Sequence, residues 1–199
     1  MSKSVDYYLS LASPYSYMGG RRLPAIIAET GAEFHLKPVT GHQIMAATGG
    51  VPVAKRHPAR LAYRLVELAR WKSHWSIPMN IQPKFFPVDD AQAAQMVIAA
   101  QQAGQDALAL SNVFLACVWE GEQDISDTAT LIAAANQAGF DGDGLAARIG
   151  AEDVVVAHQA NTDEAIGHQV FGMPWFIHDD VPYWGQDRIR FLAKALREA

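Results

Sequence analysis

The chain has 199 residues, half of them apolar, and a formal charge of −5 at neutral pH. That is enough for one compact core, or for a core with an inserted subdomain. The acidic balance, with basic pairs only at Arg21-Arg22 and Lys55-Arg56, argues against nucleic acid or an acidic membrane as a partner. The opening MSKSVDYYLS lacks the apolar core of a signal peptide, and no apolar stretch reaches the length of a membrane span, so a soluble, cytoplasmic protein is expected. A single cysteine, Cys117, excludes an internal disulfide, a CxxC redox pair and a cysteine-rich zinc site. It lies in the helical run VFLACVWE and reads as a buried structural thiol. The seven histidines form no HExxH or HxH pattern, and no metal is expected.

Residues 5–11 alternate and carry Val, Tyr and Leu, which predicts a strand, and residues 33–39 (EFHLKPV) predict a second. The segment between them is helical. Ser13 is a preferred N-cap type, and Pro14 sits at the first helical position, where its missing N–H is harmless. Pro24 is expected to kink that helix. From about residue 41 to 165, Ala, Gln, Leu and Arg dominate and apolar residues recur at three and four. Leu61, Leu65, Leu68 and Trp75 mark one helix face, Ala93, Val97 and Ala100 a second, and Val113, Leu115 and Val118 a third. Further helix is predicted over residues 130–138, 145–149 and 153–169. In the loop FFPVDDA, Asp89 and Asp90 read as an acidic helix start. Strand signal returns at residues 175–177 and 181–184, joined by His178-Asp179-Asp180 in a short hairpin, and a helix over residues 187–197 closes the chain. The order predicts one open α/β sheet assembled from both ends of the sequence and interrupted by a helical insertion.

Three places can carry chemistry. The first is Ser13, as helix cap or as more. The second is Gly172-Met173-Pro174, which a returning chain end would bring near the Ser13 turn. Pro174 is either a plain strand-entry proline or a cis proline that leaves the preceding backbone free to pair with an extended ligand. The third is WGQDR, residues 184–188, where backbone amides suit a carboxylate and Asp187 an ammonium. An ordinary turn with an Asp cap explains it equally well.

Together, VDYYLSLASPYSYMGGRRL, TGGVPVAKRHPARLAYRLVELARW, the FFP loop and VFGMPWFIHDDVPYWGQDRIRFL resemble the 2-hydroxychromene-2-carboxylate isomerase family over nearly the whole chain. That family is related to kappa-class glutathione transferases and to DsbA-type thiol oxidoreductases. The resemblance implies a thioredoxin-like domain, residues 1–40 and 166–199, interrupted by a helical domain, residues 41–165, with glutathione bound between them. It implies that Ser13, standing where the oxidoreductases carry their nucleophilic cysteine, donates to the glutathione sulfur and favours its thiolate. Met173 and Pro174 would form the cis-proline loop and pair with the cysteinyl part. Gly185, Gln186 and Asp187 would hold the γ-glutamyl end, with Arg188 as a further candidate. Ser16 reads as capping or packing the first turn. The implied reaction interconverts 2-hydroxychromene-2-carboxylate and trans-o-hydroxybenzylidenepyruvate by reversible thiolate addition.

The central segment departs from the family pattern. Relatives read T-G-N-x-P-P and later P-x-K, where this chain has Gly50 for the Asn and Arg60 for the Lys. Arg60 keeps the charge and can clamp a carboxylate. Lys55 is a second substrate-binding candidate, although Lys55, Arg56 and His57 also read as a solvated loop. Trp71, Trp75, Phe85 and Phe86 read first as core packing and second as an aromatic wall. The alternatives to an isomerase are a kappa-class-like glutathione transferase and a noncatalytic thioredoxin-like binding module. A disulfide oxidoreductase is opposed by serines at both cysteine positions. The expected partner is a small aromatic keto acid, and a homodimer is expected.

Overall fold

The computed structural model describes residues 3–199. In chain order it contains β1 (Ser4–Leu9), α1 (Pro14–Gly20), α2 (Leu23–Thr30), β2 (Glu33–Pro38), α3 (Gly41–Thr48), α4 (Pro58–Trp75) and α5 (Ala91–Gln102). There follow α6 (Ala107–Trp119), α7 (Thr128–Gln137), α8 (Gly142–Ala146), α9 (Glu152–Gly167), β3 (Trp175–His178), β4 (Val181–Trp184) and α10 (Ile189–Glu198). The strands form one sheet in the order β2-β1-β3-β4. β1 runs parallel to β2 and antiparallel to β3, and β3 turns back into β4. The expected sheet from both chain ends is therefore present.

β1 is central, so its side chains are needed on both faces. Tyr7 points into the larger core cluster and stacks on Phe176 of the neighbouring strand, with centroids 4.7 Å apart. Tyr8 points the other way, into a smaller cluster with Val39, Ile44 and Trp175. Its hydroxyl donates to Glu164 Oε1 of α9 at 2.8 Å, and Lys37 of β2 joins the same carboxylate. The helices of residues 41–165 thus pack directly on the sheet, and the larger cluster runs from Val5 and Tyr7 to Phe114 and Val118 of α6 without a break.

Besides α8, which lies at Gly142–Ala146 where residues 145–149 were expected, two elements differ from the sequence expectation. Pro24 does not kink one long helix. The chain breaks earlier, after Gly19-Gly20, and Pro24 lies in the first turn of a second helix, where proline fits. The closing helix begins at Ile189 and not at 187, because Asp187 turns to pair with Arg188 and leaves α10 without a side-chain cap. In the hairpin, Asp179 and Asp180 both have positive φ, 47° and 61°, the pattern that matches a tight connection to the strand twist.

Candidate functional site

Ser13 ends the turn that leaves β1. Its backbone is extended (φ −78°, ψ 126°), and its Oγ accepts the Ser16 N–H at 3.2 Å, capping α1. The same Oγ donates to the Met173 carbonyl at 3.2 Å, so residues 10–16 and 172–174 do meet. The one hydroxyl proton is thereby committed. The Met173-Pro174 bond is cis, and Ser16 is fully buried beneath the first turn.

The turn is held from below by a residue that the sequence places elsewhere. Asp89 accepts from the Ala91 N–H, as expected of a helix start. Asp90 does not cap α5; its Oδ2 reaches across to accept from Ser10 Oγ at 2.7 Å and from the Ala12 N–H at 3.1 Å. Burial raises its carboxyl above the ordinary range, against the pull of those two donors and of His158. His158, buried on α9 with its Nε2 unpartnered, is lowered by the same burial.

Beyond β4, Gly185 adopts φ 89° and donates its N–H to the Pro174 carbonyl at 2.8 Å. A Cβ there would meet Asp187 Oδ1 at 2.7 Å, so the position calls for glycine. Gln186 is 2% exposed, and its side-chain oxygen accepts from Trp75 Nε1 at 3.2 Å. Arg22 donates to the Gln186 carbonyl at 2.7 Å and lies 4.0 Å over the Trp75 ring. These contacts tie α4 to the loop before α10.

Between these elements opens a cleft of about 640 Å³. Ser13, Met173, Gly185, Gln186, Asp187 and Arg60 all line it; Pro174 is buried just behind. Lys55 does not reach the cleft: it lies exposed on a short turn at Val53–Lys55. Of its neighbours, Arg56 departs from the solvated-loop reading, whereas His57 is exposed as expected. Arg56 lines the cleft and donates to the Val51 carbonyl at 2.8 Å, and His57 Nδ1 caps α4 by accepting from the Ala59 N–H. Trp71 and Phe86 both pack on the core and line the cleft, while Phe85 does not line it. Trp71 stacks on Trp75 at 6.2 Å, nearly parallel, which the four-residue spacing allows. Gly50 lines the cleft hard against Met45, where a Cβ would lie 3.1 Å from the Met45 Cα. Cys117 is buried, and burial pushes its thiol up to about 11.

The profile of the DSBA-like thioredoxin domain matches residues 4–197. The chain belongs to the DSBA-like thioredoxin family. A 2-hydroxychromene-2-carboxylate isomerase of Sphingobium xenophagum is 27% identical over 98% of this chain and 99% of its own. The human glutathione S-transferase kappa 1 is 25% identical over all of this chain and 92% of its own. The solved structure of a 2-hydroxychromene-2-carboxylate isomerase superposes with a TM-score of 0.85, at 23% identity, over 98% of this chain and 95% of that one.

In this DSBA-like chain the sequence did not single out Arg64, which lines the cleft, nor the contacts that Arg22 and Asp90 make behind it. Arg60 and Arg64 lie four residues apart on α4, a spacing open to reading on a helix, whereas Arg56 lies before that helix. Asp90 had no such signal, since its partner Ser10 is 80 residues away. Among the described residues no group of three or more His, Cys, Asp or Glu side chains is arranged to hold a metal, and no helix is long and apolar enough to cross a membrane.

Proposed function

We propose that this protein is a glutathione-dependent isomerase that interconverts 2-hydroxychromene-2-carboxylate and trans-o-hydroxybenzylidenepyruvate. The observation that carries the reading is the Ser13 hydroxyl, held between the first turn of α1 and the Met173 carbonyl in a cleft, in a chain whose own thiol is buried elsewhere. The full-length isomerase relative supports the reaction, and the kappa-class relative supports the use of glutathione.

The cleft residues fit that tripeptide. Gly172 and Gly185 both line the cleft, and neither position accepts a side chain, since a Cβ would meet Trp184 Nε1 at 2.8 Å and Asp187 Oδ1 at 2.7 Å. Met173 would offer its backbone, and Gly185, Gln186 and Asp187 would hold the γ-glutamyl end, with the Asp187 carboxylate toward the ammonium. When bound, glutathione supplies a sulfur nucleophile that adds reversibly to a conjugated carbon and so permits rotation about it. Ser13 would turn its proton from Met173 toward that sulfur, which favours the anionic form as any donor to a charged group does. Arg60 would face the negative charge that develops on the keto-acid side.

The same reading keeps the division of the chain into a thioredoxin-like part, residues 1–40 and 166–199, and a helical part, residues 41–165. It carries a cytoplasmic setting, where reduced glutathione is maintained, and a homodimer, the latter from the family resemblance alone.

The test follows the ultraviolet spectrum of 2-hydroxychromene-2-carboxylate with and without glutathione while free thiol is counted. Glutathione-dependent interconversion at constant thiol, lost in Ser13→Ala, is expected. Stoichiometric thiol loss would make the protein a transferase, and neither turnover nor a thermal shift with millimolar glutathione would leave a binding module.

A further inference from the structure

Arg60 and Arg64 stand four residues apart in the first turns of α4, Arg56 lies in the extended segment just before it, and all three line the cleft that contains Ser13. Like charges at this spacing repel one another, so the row is unfavourable until an anion meets it. Among the described residues no carboxylate pairs with any of the three. The two carboxylates on the same cleft are engaged elsewhere, Glu67 with Arg70 and Asp187 with Arg188. Arg64 is the most constrained of the three. Its guanidinium lies 4.8 Å above the Phe86 ring, and its Nη2 is buried without a hydrogen-bond partner. A buried charged donor with no acceptor is a costly arrangement, relieved by a ligand that brings the acceptor. Burial lowers the Arg64 pKa, and so does the nearby Arg56, while Tyr15, two residues beyond Ser13, opposes them. Arg60 is exposed by comparison, and Lys55 is off the cleft.

We propose that Arg64 anchors the carboxylate of a second ligand, an aromatic 2-oxo acid, beside the aromatic side chains of Tyr15 and Trp71; the assignment rests on the isomerase reading above. The planar guanidinium matches a carboxylate with two parallel N–H donors, and the Phe86 ring beneath holds its plane. Arg60 and Arg56 then act as a surrounding positive field.

Phenylpyruvate, its methyl ester and glutathione, each titrated calorimetrically into the full chain, test the anchor. The set is wild type, Arg64→Met, Arg64→Lys and Arg60→Met. Arg64→Met keeps the apolar stem over Phe86, and unchanged circular-dichroism melts verify folding. Arg64→Met is expected to weaken phenylpyruvate by about tenfold or more, Arg64→Lys to recover part of that, and Arg60→Met to change it less. The ester is expected to bind weakly to all four, and glutathione equally to all four. Equal phenylpyruvate binding by wild type and Arg64→Met overturns the anchor. So does a wild type that does not bind the acid, or a loss confined to glutathione, which would assign Arg64 to the tripeptide's own carboxylate. A wild type that binds the acid through Arg64 yet shows no glutathione-dependent turnover would sink the isomerase reading and leave the anchor standing.

Discussion

On the sheet side of the cleft the polar groups around Ser13 are already engaged with one another. Ser13 bonds Ser16 and Met173, Asp90 holds Ser10 and Ala12, Gly185 bonds Pro174, and Gln186 is tied to Trp75 and Arg22. On the helical side, Arg60 and Arg64 line the same space with no carboxylate among the described residues paired to them, and Arg64 has a buried donor to spare. The difference separates two tasks. A wall that is satisfied internally fixes positions, and a wall left unsatisfied adds a preference for anions. Substitutions on the first should change rate and stability, whereas substitutions on the second should change ligand preference at little cost to the fold.

The largest departure is expected at Ser13. Ser13→Ala should lower kcat by about 10²-fold or more. It should cost the fold only about 1 kcal/mol through the lost cap, read by urea unfolding. Unchanged kcat would remove Ser13 from the chemistry. Asp90→Ala, which strands the Ser10 and Ala12 donors, should destabilise by about 1–3 kcal/mol. Asp90→Asn keeps an acceptor at the same place and separates charge from contact. Because burial raises the Asp90 carboxyl, the folded chain holds that proton to higher pH than the unfolded chain does. Wild type should therefore lose stability as pH rises through the raised titration range, and Asp90→Asn should lose less. Parallel stability curves for the two proteins would show that this carboxyl is not perturbed. Gly50→Asn should cost about 1 kcal/mol or more in a thermal melt, since the new Cβ meets the Met45 backbone. The smallest effect is expected from Trp75→Phe, about 1 kcal/mol, which keeps the stack on Trp71 and removes the bond to Gln186. A shift in glutathione affinity beyond that loss would mean that the Gln186 loop is held mainly from α4.

Much of the frame was readable along the chain because its signals are local. The alternation around Tyr7 and Tyr8, the Ser13-Pro14 cap and the strand pair near the C-terminal end each declare themselves within a few residues. The encounter of Ser13 with Met173 followed once both ends were assigned to one sheet. Asp90 was not readable in this way. A carboxylate before a helix looks like a cap whether or not it turns to a distant hydroxyl, and Ser10 gives no sign of needing one. Arg64 was hidden for a different reason: arginine on an amphipathic helix is ordinarily solvated, and only the seating of Phe86 beneath it shows otherwise. Pro24 misled because proline inside a helical run signals a kink, while the paired glycines before it had already ended the helix.

The Ser13 hydroxyl has a single proton, and the Met173 carbonyl holds it. Under the proposed reading, a sulfur that draws this proton away leaves the carbonyl short of a donor. An amide N–H on the incoming molecule makes good the deficit. A small thiol without a peptide group brings the acceptor and not the donor, and its entry trades one bond for another without gain. The pair thus works as a coincidence test, admitting a molecule that presents an anionic sulfur and a backbone N–H together, as a cysteinyl residue does.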